Sequence, residues 1–205
     1  MAQPIADALA NTLGGRVRRR VVVLLACVLA LDSADLATVG SVAGELERGL
    51  HISNVQLGLL VSLPSLVGAL ATIPVGILTD RVTRVPMLAG SVLAWSVAMA
   101  LSGLASSFAM LLVTRVALGA VTATAGPTVS SLIGDFIPAR ERARIYGFIL
   151  SGELLGAGFG FLVSGEAAAA LSWRAAFLIL AIPSLALAIA IPRLLPEPAR
   201  GGESR

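Results

Sequence analysis

The chain has 205 residues, of which 57% are hydrophobic, 13% charged and 4% aromatic. Soluble domains carry about 25% charged residues, so a water-soluble globule is excluded, as is a disordered chain, which requires low hydrophobicity. The net charge of +3 arises from 15 arginines, with no lysine, against 12 acids, and their scatter between apolar stretches argues against nucleic-acid binding.

The apolar stretches are long and unalternated, unlike the ~10-residue alternating segments of a membrane barrel. They predict an all-α membrane protein. Arg16, Arg18, Arg19 and Arg20 precede an apolar run at 21–31. This looks like the start of a secretory signal. No small-residue cleavage site follows it and further apolar segments do, which predicts an uncleaved first helix. A second helix is predicted over 54–79. The uncharged stretch 85–114 is too long for one crossing of ~20 residues. A turn-like cluster at Ser102, Gly103, Ser106 and Ser107 divides it into a third helix, 85–101, and a fourth, 108–134. A fifth follows at 144–165 and a sixth at 173–195. The expected organisation is an N-terminal segment (1–20), a six-helix transmembrane bundle (21–195) and a polar tail (196–205) that reads as the start of a flexible linker.

Cytoplasmic loops are enriched in basic residues. With the N-terminus inside, twelve arginines fall on that side and only Arg48 and Arg174 outside. A multi-pass protein of the plasma (cell inner) membrane with both termini cytoplasmic is expected.

Four charged residues fall within the predicted spans: Asp32, Asp35, Arg115 and Glu153. Each costs about 2.5–3.5 kcal/mol near the bilayer centre. Asp35 follows Arg20 by 15 residues, placing it ~22 Å above the cytoplasmic edge, and Arg115 follows Phe108 by seven, ~10 Å below the outer edge. In a ~30 Å core they lie at one depth. Asp32 shares a helix face with Asp35. One or both aspartates are expected to pair with Arg115. The pair then serves either as a carboxylate whose protonation is coupled to substrate binding or as a structural ion pair. Glu153 sits among Gly152, Gly156, Gly158 and Gly160, whose spacing suits close helix packing. It is read as either a cavity-lining acid or a buried neutral one. The lone Cys27 reads as a packing residue, and His51 falls in the first outer loop. With no histidine in a span, no Gly-x-Ser-x-Gly and no His-Glu-x-x-His, an enzyme is not expected, nor any cofactor or metal.

Gly76-Ile77-Leu78-Thr79-Asp80-Arg81-Val82-Thr83-Arg84 resembles the Gly-x-Leu-x-Asp-Arg-x-Gly-Arg signature between helices two and three of the major facilitator superfamily of secondary transporters. Gly76, Asp80, Arg81 and Arg84 match, and Thr83 replaces the second glycine. Further matches follow in order. They are Arg115 with Gly119 in helix four, the acidic–proline–arginine loop from Asp135 through Pro138 to Arg142, and Trp173-Arg174-Ala175-Ala176-Phe177 at the entry to helix six. Within the superfamily, Asp35, Arg115 and the run Ala125-Gly126-Pro127-Thr128 followed by Asp135 most resemble the spinster-like branch, although Val121, Thr122 and Ala123 stand where that branch carries an acid.

The resemblance implies one six-helix half built of 3+3 inverted repeats, moving a small organic solute by alternating access, and the charged residues within the spans, Asp35, Arg115, Asp32 and Glu153, are the candidates for substrate contact and proton coupling. It also implies a cytoplasmic gating cluster at Gly76, Asp80, Arg81 and Arg84. The implied partners are the lipid bilayer, a small-molecule substrate and a second six-helix half, or a second copy in a homodimer. The alternative is a non-transporting fragment that packs with another membrane protein.

Overall fold

The structure, a computed structural model, describes residues 15–198. Residues 1–14 and 199–205, which hold most of the expected N-terminal segment and of the expected tail, lie outside the described residues. The described residues form eight α-helices and no strand. These are α1 (Arg16–Ser41), α2 (Ala43–Leu50), α3 (Asn54–Thr79), α4 (Arg84–Gly103), α5 (Phe108–Thr122), α6 (Ala125–Phe136), α7 (Ala139–Ala170) and α8 (Trp173–Leu194). Six stretches are long and apolar enough to cross a membrane: α1, α3, α4, α5 with α6, α7 and α8.

Serine caps start every second span. Ser53 Oγ accepts from the Gln56 N–H at 3.3 Å while Gln56 Oε1 accepts from the Ser53 N–H at 2.9 Å, a capping box that begins α3. Ser107 accepts from the Met110 N–H and Ser172 from the Ala175 N–H, satisfying the otherwise orphaned donors of α5 and α8.

The fourth span is not the continuous helix its composition predicts. It breaks at Ala123 and Thr124. Pro127 has no N–H to offer the Ala123 carbonyl four residues back, and its ring crowds that carbonyl. Thr122 and Thr124 also turn their hydroxyls onto the carbonyls of Gly119 and Val121, competing with the helical ladder. The fifth span is longer than predicted. α7 runs 32 residues, about 48 Å, so its charged first turns at Arg140, Glu141 and Arg144 extend beyond a ~30 Å core.

α1 lies along α7, α4 along α8, and α3 against α5. The α1–α7 contact is a match of small residues: Gly152, Gly156 and Gly160 face Ala26, Ala30 and Ala34. A Cβ on Gly156 would overlap the Ala30 backbone and one on Gly160 would overlap Ala34. The glycine spacing thus packs two helices backbone to backbone, and a 2.9 Å hydrogen bond between Thr38 Oγ1 and Ser164 Oγ closes the seam. Gly119 of α5 is pressed against the Pro64 backbone of α3 in the same way. Cys27 departs from its expected packing role. It is exposed, on an apolar groove of about 480 Å³ between α1, α7 and α8.

Because backbone atoms cannot yield as flexible side chains do, Gly156→Leu should lower stability by at least ~1–3 kcal/mol, the usual range for overpacking. Gly158→Ala, whose new methyl meets open space, should leave it unchanged. Thermal unfolding of the two variants in one detergent compares them directly.

Candidate functional site

Asp35 of α1 and Arg115 of α5 face each other across the bundle. Arg115 Nη1 donates to Asp35 Oδ1 at 2.6 Å, and both side chains are only 2% exposed. The guanidinium carbon lies 5.8 Å from the Phe177 ring centre, and Met99 Sδ is 3.8 Å from Nη1. Asp35 Oδ2 and Arg115 Nε are buried with no hydrogen-bond partner among the described residues. The pair is neutral as a unit yet keeps one acceptor and one donor in reserve.

This pair forms one wall of a cavity of about 250 Å³ between α1, α3 and α5. Asp32 shares the wall, one turn from Asp35, and the hydroxyl residues Ser65, Thr72 and Thr122 stand around it. Glu153 does not join them. It lines a separate shallow cavity with Ser33 and Leu150.

A second cluster lies where α4 begins. The Arg84 guanidinium is ion-paired to Asp135 at the end of α6. It also donates to Ser131 Oγ at 3.0 Å, to Glu197 Oε1 at 3.3 Å and to the Pro198 carbonyl at 3.0 Å. Glu197 in turn accepts from the backbone N–H groups of Arg84 at 2.9 Å and Val85 at 2.7 Å. It thereby caps the positive end of α4. Burial tends to raise the Glu197 pKa, but these two N–H groups and the adjacent guanidinium outweigh it and hold the carboxyl below its ordinary value.

The family model of the Major Facilitator Superfamily matches residues 25–204. The chain belongs to the major facilitator superfamily. It is 28% identical over 185 residues to the 4-hydroxybenzoate transporter PcaK of Pseudomonas putida, covering 90% of this chain and 41% of that protein. It is 25% identical over 174 residues to a probable L-galactonate transporter of Escherichia coli, with 85% and 38% coverage. Against the hexuronate transporter of Bacillus subtilis it is 25% identical over 169 residues, with 82% and 40% coverage. Among solved structures, a bacterial homolog of the human lysosomal transporter Spinster, inward-facing and occupied, superposes with a TM-score of 0.84. It is 27% identical and covers 93% of this chain and 47% of its own. The proton:xylose symporter XylE shares the fold at a TM-score of 0.78 and 17% identity, with 90% and 47% coverage. The chain thus spans about two fifths of the length of these relatives and just under half of the two solved structures.

In this superfamily member the residues of the loop signature do not act alike. Asp80 and Arg81 are exposed, and Asp80 ends α3 with its backbone N–H on the Gly76 carbonyl at 3.2 Å. A side chain at Gly76 would meet open space. Arg84 is buried and joins the signature to Asp135. Arg142 caps α6, donating to the carbonyls of Gly134 at 2.7 Å and Ile137 at 3.0 Å. Sequence reasoning missed Ser131 and Glu197. Their partner Arg84 lies 47 and 113 residues away, beyond any local pattern. Within the expected tail, Glu197 and Pro198 are bonded to the start of α4.

Because the Glu197 pKa is lowered, its contact contributes stability above the ordinary glutamate value of about 4.3. That contribution is lost as pH falls through the folded value. Hydrogen exchange at the Val85 amide, corrected for its intrinsic pH dependence, should show protection at neutral pH that fades in acid. Glu197→Ala should remove the protection at neutral pH.

Proposed function

We propose that this chain forms the N-terminal six-helix half of a proton-coupled secondary transporter for small organic acids. A second six-helix bundle, from another polypeptide or a second copy, completes the pathway, and the two halves rock about a site between them. The observation that carries this reading is the buried Asp35–Arg115 pair opening on a cavity inside a major-facilitator bundle. The named solutes of the three relatives, 4-hydroxybenzoate, L-galactonate and hexuronate, are all organic acids. The arginine asymmetry, twelve against two, supports a plasma-membrane protein with cytoplasmic termini.

The chemistry follows from charge balance. Net charge in the membrane interior is costly. With Asp35 ionised, Arg115 is engaged and the pair is neutral. A proton on Asp35 removes its charge and leaves the guanidinium to an incoming carboxylate, so the site stays neutral with proton and anion both aboard. Neither partner enters alone without leaving an uncompensated charge. Among the described residues, the other titratable group on this cavity wall is Asp32 on α1. In this reading the Arg84 cluster holds α4, α6 and the segment after α8 together as one body at the cytoplasmic face.

Proteoliposomes with an inward proton gradient test the proposal, using radiolabelled 4-hydroxybenzoate, L-galactonate and glucuronate. Gradient-driven uptake of at least one acid is expected, with Asp35→Asn abolishing the response to the gradient. Absence of both uptake and pH-dependent binding for all three, with the protein folded, overturns it.

A further inference from the structure

The cavity beside the pair has an unequal set of hydrogen-bonding groups. Ser65 Oγ donates to the Val61 carbonyl at 2.8 Å, Thr72 Oγ1 to the Gly68 carbonyl at 2.8 Å and Thr122 Oγ1 to the Gly119 carbonyl at 3.3 Å. A hydroxyl has one proton and two lone pairs. Each of these has committed its proton to its own helix, so what it offers a solute is an acceptor. Asp32, while ionised, adds carboxylate acceptors to the same wall. Among the described residues, the only charged donor on the wall is Arg115, and no aromatic side chain lines the cavity, which is otherwise built of leucine, alanine, proline and glycine.

We infer that the solute is a polyhydroxylated carboxylic acid of the sugar-acid kind rather than an aromatic hydroxy acid, with Thr72, Ser65 and Thr122 as specificity-determining residues. This rests on the proposed organic-acid transport and deepens it. The carboxylate of such a solute takes the one cationic donor, and its several hydroxyls supply the protons that the ring of acceptors lacks. An aromatic acid brings one hydroxyl and a flat ring. It would leave most of the acceptors desolvated and unpaired, and it finds no aromatic face to stack on. Sites built to bond substrate hydroxyls reject analogues lacking them far more strongly than apolar pockets reject a missing methylene.

Binding to the purified full chain at acidic pH, measured calorimetrically with glucuronate, L-galactonate, hexanoate and 4-hydroxybenzoate, tests the inference. Glucuronate or galactonate should bind at least ten times more tightly than the other two. Thr72→Val should weaken that binding about tenfold, the worth of one hydrogen bond, and Thr72→Ser, which keeps the hydroxyl, should restore it. Tighter binding of 4-hydroxybenzoate or hexanoate overturns the inference while leaving organic-acid transport standing. Unchanged glucuronate binding in a folded Thr72→Val protein does the same. No binding of any of the four acids, at acidic or neutral pH, overturns both.

Discussion

An arginine and an aspartate, each 2% exposed and 2.6 Å apart, must be held together within a bundle of apolar spans, and the rest of the fold answers to that requirement. A buried ion pair is a poor device for stability alone, because apolar side chains of similar volume often serve as well or better, whereas losing one partner costs about 3–5 kcal/mol. The first span shows how tight the balance is. Its dozen or so apolar residues contribute roughly 4–6 kcal/mol on insertion scales, and two aspartates cancel most of that. α1 therefore depends on its neighbours. The Gly152, Gly156 and Gly160 seam fastens α7 onto it, and the Gly119–Pro64 contact fastens α5, which carries Arg115, onto α3.

The two charged clusters divide the labour. Around Arg115 one donor and one acceptor are left unmatched, beside a cavity. Around Arg84 the guanidinium is bonded on all sides, to a carboxylate, a hydroxyl, a glutamate and a carbonyl. The first arrangement suits a site that exchanges partners. The second suits a fastening that ties the start of α4 to the end of α6 and to the chain beyond α8.

Apolar length and turn chemistry were enough to show six spans in the sequence, and the second was legible to its last residue because Ser53 and Asp80 bound it so sharply. The pairing of Asp35 with Arg115 was legible too, since rise per residue sets both at one level along their helices. The break in the fourth span was written in Pro127, Thr122 and Thr124, but an apolar count does not weigh carbonyl partners. Glu197 was out of reach, because an acid after a proline-rich turn looks like linker until the N-terminus of α4 is beside it. The separation of Glu153 from the cavity depends on helix rotation, which spacing within a single span does not determine.

At the centre of the proposed cycle, Asp35 takes up a proton when Arg115 turns to a solute carboxylate. Infrared difference spectroscopy of the folded protein, with and without glucuronate, observes this directly through the carbonyl stretch of a protonated carboxyl group. A new protonated-carboxyl band is predicted on binding, missing in Asp35→Asn and still present in Glu153→Gln. Saturable binding without that band, or a band that persists in Asp35→Asn, would contradict it.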